Sequence, residues 1–225
     1  MCFSAEASFT SGVVISAIGI ATLRKARKPE QRLFAVIPLL FAFQQFAEGV
    51  LWVTLRSSGY ERLQNVATHI FLVTALIIWP VIVPLSVWFM EGVKTKKKTL
   101  VGLMLAGGMV SIFYAFCLFH YNVTPQINGF HLVYVNDFPG TLVGIAFLLY
   151  LASTIAPLFV SSLRRMRLFG ILIATPCLIT GVFYAEYLTS VWCFFAALIS
   201  LTIYWVLVES RSEDSLLTAE IRLER

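Results

Sequence analysis

Glu48 stands in FAFQQFAEGVLW, residues 41–52, a stretch otherwise apolar enough to lie in hydrocarbon. A carboxylate there loses its hydration without compensation, so a membrane-crossing helix excludes one unless a protein interior or a wet cavity receives it. Gln44, Glu48 and Trp52 recur every four residues and Gln45 precedes Glu48 by three, so a helix presents all four on one broad face. A buried carboxylate flanked by amides can act as a general acid, a general base or a cation ligand, with Gln44 and Gln45 orienting it. The competing reading is a structural glutamate, hydrogen-bonded to a neighbouring helix. Gly49 beside it lets that neighbour approach closely.

The elements that must position this face are membrane helices. Of 225 residues, 59% are hydrophobic and 13% charged, with a mean hydropathy of +0.83; soluble domains carry about 25% charged residues. Runs long enough to cross a bilayer fall near 8–23, 33–55, 66–90, 99–120, 140–162, 167–186 and 189–208. The expected fold is therefore an all-α integral membrane protein of seven transmembrane helices, a domain over 1–210 followed by a cytoplasmic tail over 211–225. Arg24, Lys25, Arg27 and Lys28 follow the first run, whereas a signal peptide carries its positive charge in front. Of the 17 Lys and Arg, only Arg56 and Arg62 then fall in loops assigned outside, which predicts the amino terminus outside and the carboxyl terminus in the cytoplasm. The net charge of +5 follows from topology and calls for no nucleic-acid partner.

That topology gathers Cys2, Glu6, Glu48, His69, Cys117, His120, His131, Asp137, Glu186 and Cys193 in the outer half. Between the fourth and fifth spans, VTPQI and FHLVYV flank Asn128-Gly129, which predicts a short β-hairpin with His131 just past its turn. A hairpin at the outer mouth can fold over the face bearing Glu48. In the third span, Pro80 and Pro84 predict a bend or break near the middle of the membrane. Ser161-Ser162, before the basic cluster at Arg164, reads as a helix-end cap rather than a nucleophile. Histidine with thiolate or carboxylate suits zinc or copper, and Cys2, Glu48 and His131 are the candidate ligands. The spacing contains no HxxxH, HExxH or CxxC, so the cofactor stays open, as does any disulfide among Cys2, Cys117 and Cys193. No span holds a lysine for a retinal Schiff base or a mid-span histidine pair for haem, and no glycine-rich nucleotide loop is present.

The opening MCFSA, QQFAEGVLW, the WP of the third span, HLVY in the outer loop and SVWCFFAA entering the seventh together resemble an uncharacterised family of bacterial multi-pass membrane proteins. The resemblance covers nearly the whole chain. It implies a bacterial cytoplasmic membrane location and marks Cys2, Gln44, Gln45, Glu48, His131, Ser190 and Cys193, without supplying an activity. Seven-helix hydrolases similar to alkaline ceramidases and adiponectin receptors carry paired histidines on the last helix, which this chain lacks.

The expected site is a polar pocket in the outer half, with Glu48 and His131 as catalytic groups and Gln44, Gln45, Trp52, Glu6, Ser190 and Cys193 as ligand contacts. Its partners are membrane lipids and a lipid or small-molecule ligand, and its chemistry is hydrolysis or group transfer. A proton- or cation-coupled transporter or sensor centred on Glu48 and a structural membrane subunit are the alternatives.

Overall fold

Long apolar helices account for most of the architecture. The computed structural model describes residues 4–129, 131–183 and 196–208. In chain order these form α1 (Ala5–Lys25), α2 (Pro29–Thr54), α3 (Glu61–Leu72), a π-helical turn (Val73–Ile78), α4 (Trp79–Met90), α5 (Lys94–His120), β1 (Val123–Asn128), β2 (His131–Asn136), α6 (Gly140–Val160), α7 (Arg164–Phe183) and α8 (Ala196–Val208). Among the described residues, five segments are long and apolar enough to cross a membrane: α1, α2, the continuous run Glu61–Met90, α5 and α6. On α5, Leu105, Met109, Ile112, Phe116 and Phe119 recur every three or four residues, and all are more than half exposed. An apolar stripe of that length suits hydrocarbon rather than water. Cys2, Glu186, Ser190, Cys193 and the tail 211–225 lie outside the described residues.

α1 and α2 form the tightest pair. Ser4 caps α1 by accepting from Ala7 N at 3.2 Å, and Pro29 opens α2, where a missing N–H costs nothing. Phe9 lies over Gly49 and Phe46 over Gly12, so each helix presents a ring to the other's glycine. A Cβ at Gly49 would stand 2.8 Å from the Phe9 ring, which explains the glycine beside Glu48.

The break expected at Pro80 takes the form of the π turn. Pro80 has no N–H to donate to the Leu76 carbonyl, and Trp79 N reaches back five residues to Thr74 O. Neighbouring helices bond two of the carbonyls in this turn. Tyr150 Oη on α6 donates to Ala75 O at 2.8 Å, and Ser111 Oγ on α5 donates to Ile77 O at 2.7 Å.

The hairpin is present, with one change. β1 and β2 pair antiparallel from Val123↔Asn136 to Asn128↔His131, so Asn128 ends the ladder and Gly129, at φ +61°, takes the first turn position. A positive φ there suits glycine, and the turn thus begins one residue later than the Asn128-Gly129 pair expected from sequence. Leu132 is 1% exposed and packs with Leu51 and Trp52 of α2 and Ala67 of α3. Tyr134 stacks on Phe71 with ring centroids 5.0 Å apart. Burial of one leucine is worth about 1.5–3 kcal/mol, so Leu132→Asp is expected to raise proteolytic cleavage within 121–138 by about tenfold or more. Unchanged cleavage would show that the hairpin is not held by this contact.

Candidate functional site in the helix bundle

α2 carries the polar row, and its two amides are fixed by different neighbours. Gln45 is fully buried and its Oε1 accepts from Ser11 Oγ of α1 at 2.9 Å, a hydroxyl also 3.0 Å from the Ser8 carbonyl. Gln44 is 4% exposed and its Oε1 accepts from Trp79 Nε1 of α4 at 3.1 Å. The two amides therefore diverge toward α1 and α4. Glu48, at 0% exposure, lies one turn further toward the hairpin. The antiparallel register that joins Ser11 to Gln45 brings Ser8, three residues earlier, level with Glu48, three residues later. Ser8 Oγ is buried and has no hydrogen-bond partner among the described residues, and the same is true of Thr68 Oγ1 on α3. Trp52, 1% exposed with the Arg56 guanidinium 5.6 Å from its ring, forms a wall beneath Leu132.

This arrangement places a buried carboxylate, two oriented amides and two buried hydroxyls in one end of the bundle, closed by a hairpin. Residues 1–217 match the model of DUF6629, a family of unknown function. The chain belongs to that family. No curated protein and no solved structure matches it, so the chemistry of this DUF6629 member rests on its own geometry.

The remaining sequence candidates divide. His131 begins β2 at the hairpin end, half-buried, and burial holds its imidazole below the ordinary histidine range. His69 and His120 turn their Nδ1 to carbonyls of their own helices, Asn65 O at 2.9 Å and Phe116 O at 3.1 Å. His120 also stacks on Phe116, at 4.0 Å between centroids. Glu6 and Asp137 are exposed, and Cys117 is buried in α5. Among the described residues no group of three or more His, Cys, Asp or Glu is gathered for a metal. Of the candidate metal and ligand residues, Cys2, Ser190 and Cys193 fall outside the described part.

Sequence reasoning missed Glu91, which adjoins the basic stretch beginning at Lys94. It is 1% exposed at the end of α4 and accepts from Val93 N (2.9 Å), Ser162 N (2.7 Å) and Ser162 Oγ. Leu163 N donates to Ser161 Oγ at 3.2 Å, so the serine pair does organise a helix end, as expected. Burial opposes ionisation of Glu91, but the donors from Ser162 and Val93 outweigh it and hold the carboxyl below the usual carboxylate range.

Proposed function

We propose that this protein crosses a bacterial cytoplasmic membrane seven times, with the hairpin end outside, and that its Glu48 site binds a lipid or small molecule from the outer leaflet. Glu48 serves as the acid or base for hydrolysis or group transfer on the bound polar group. The observation carrying this reading is the built polar row: Glu48 fully buried in a helix long enough to span, with Gln45 fixed by Ser11 and Gln44 fixed by Trp79. Intramembrane carboxylates are costly and mark functional sites. The buried hydroxyls of Ser8 and Thr68 supply further polar groups at the same end. Cys2 and His131, as ligands for zinc or copper with Glu48, remain part of this proposal.

A proton- or cation-coupled transporter is the second reading, favoured by the π turn and the prolines in the segment bonded to Gln44. It needs a polar path to the other face. The opposite half is filled by Phe34, Val87, Leu100, Leu158 and Met166, all fully buried, and this favours the first reading.

The test compares wild type and Glu48→Gln, both purified in mild detergent, by native mass spectrometry and extraction of bound molecules. The expected result is a stoichiometric lipid or small molecule on wild type, with retention reduced about tenfold or more when the charged acceptor is lost. Equal retention by both proteins overturns the reading.

A further inference from the structure

A cavity of about 210 Å³ lies among α2, α3, α4, α5, α6, α7 and α8, on the side of Gln44 away from Ser11. Its walls include Phe41, Phe71, Trp79, Tyr114, Tyr150 and Phe169, and no charged side chain of the described residues lines it. An apolar cavity of about 150 Å³ suffices to bind benzene, so this volume suits one substituted ring.

The polar groups on the wall narrow the chemistry. An indole N–H can only donate, so the Gln44 oxygen must face Trp79 and its amide nitrogen must face elsewhere. That nitrogen has no partner among the described residues, although the side chain is 4% exposed and lines the cavity. The Tyr114 hydroxyl, on the same wall, makes no hydrogen bond among the described residues either. Other hydroxyls are engaged: Tyr150 Oη donates to Ala75 O, and Thr154 Oγ1 donates to Tyr150 O at 2.7 Å. A buried donor left unmade is expensive, and an occupant bearing an acceptor removes that cost. Phe147, Leu151 and Ile155 share one face of α6 as part of the wall, and Phe147 is 36% exposed, so an apolar ligand can arrive from hydrocarbon.

We propose that this cavity takes a flat, uncharged ring bearing a carbonyl, of the size of a benzoquinone, with the carbonyl oxygen accepting from Gln44 Nε2. The aromatic walls match a ring by offset or edge contacts, and they favour it over the other membrane source of an uncharged carbonyl, an acyl ester. Glu48 does not line this cavity, so the inference goes beyond the reading of Glu48 and does not rest on it.

The test titrates the full chain in mild detergent with a carbonyl-labelled decyl benzoquinone and, separately, with methyl decanoate. Tryptophan quenching reads quinone binding, displacement of the quinone reads ester binding, and the infrared carbonyl stretch reads hydrogen bonding. Saturable quinone binding with a lowered carbonyl stretch is expected, weakened about tenfold with the shift lost in Gln44→Met. Ala75→Ile, which fills the cavity, is expected to block binding and serves if Gln44→Met does not fold. No saturable quinone binding, equal or tighter binding of the ester, or unchanged binding in both variants overturns the proposal. Wild type holding a molecule lost in Glu48→Gln, yet showing no quinone binding, overturns this inference alone. Quinone binding in a protein whose retained molecule is indifferent to Glu48→Gln overturns the preceding reading alone.

Discussion

Replacing Gly107 with alanine is expected to lower the stability of the protein by about 1–3 kcal/mol or more, far beyond the effect of the same change at Gly108. Pro84 cannot donate to the carbonyl of Pro80, four residues earlier, so that oxygen has no α-helical partner. α5 comes against it at Gly107, where an added Cβ would stand 1.9 Å from the oxygen and 3.2 Å from Ser153 Cβ of α6. The opposing atom is backbone between two prolines and cannot swing aside, so α4, α5 and α6 must separate. Gly108 has nothing within 4 Å of the same position, and alanine there gains helix propensity worth up to about 1 kcal/mol. At roughly 2–4 °C per kcal/mol for a chain of this size, thermal unfolding in detergent resolves the pair. Equal midpoints for the two variants would remove the close approach as an organising contact.

The second large effect belongs to Glu91. Its carboxylate lies at the starts of two helices at once, accepting from Val93, which caps α5, and from Ser162, which precedes α7. Negative charge is favoured there, where the first N–H groups of a helix lack internal acceptors. Glu91→Ala leaves buried donors unmade, each costing about 1–3 kcal/mol, so a loss on the order of 3 kcal/mol or more is expected. The acid dependence has a definite sign. Because the folded carboxyl titrates below its ordinary value of 4.5, the ionised form's contribution is complete above 4.5 and is lost as pH falls through the lower folded value. Unfolding midpoints of wild type and Glu91→Gln should differ most near neutrality and converge in acid. A gap that widens in acid would mean that the neutral carboxyl is the form the fold holds.

Five of the seven expected spans coincide with long apolar helices among the described residues, because hydropathy survives averaging over 20 residues. The run expected at 33–55 is Pro29–Thr54, and that at 99–120 begins earlier, at Lys94, because a helix continues through its charged turn beyond the apolar stretch. The run expected at 8–23 is Ala5–Lys25, in which Ser8 and Ser11 are buried and Thr10 is exposed. The polar row of α2 was legible too, since unlike residues in an apolar helix stand out at fixed spacing. Its partners were not. Whether Gln45 meets Ser11 and Gln44 meets Trp79 depends on the register between helices, which no local pattern encodes. Glu91 was hidden for a related reason: a carboxylate at a span end beside lysines has the composition of a solvated loop, and only the return of the α6–α7 turn buries it. The hairpin was found but its turn was displaced by one residue, because Asn128 and Gly129 both tolerate turn geometry and cross-strand pairing decides which ends the ladder.

The reciprocal fit of Phe9 on Gly49 and Phe46 on Gly12 bears on how two such long apolar helices would enter a membrane. Residues 26–28 alone join α1 to α2, and synthesis delivers α1 first. A carboxylate costs about 2.5–3.5 kcal/mol at a helix centre on biological insertion scales and less toward the end where Glu48 stands. When α2 arrives, Ser11 and the glycine surfaces of α1 are already positioned to receive it. The two helices can thus partition as one helical hairpin, and the segment carrying Glu48 never has to cross as a solitary polar helix. Insertion as such a pair would assemble the Ser11–Gln45 contact in the same step.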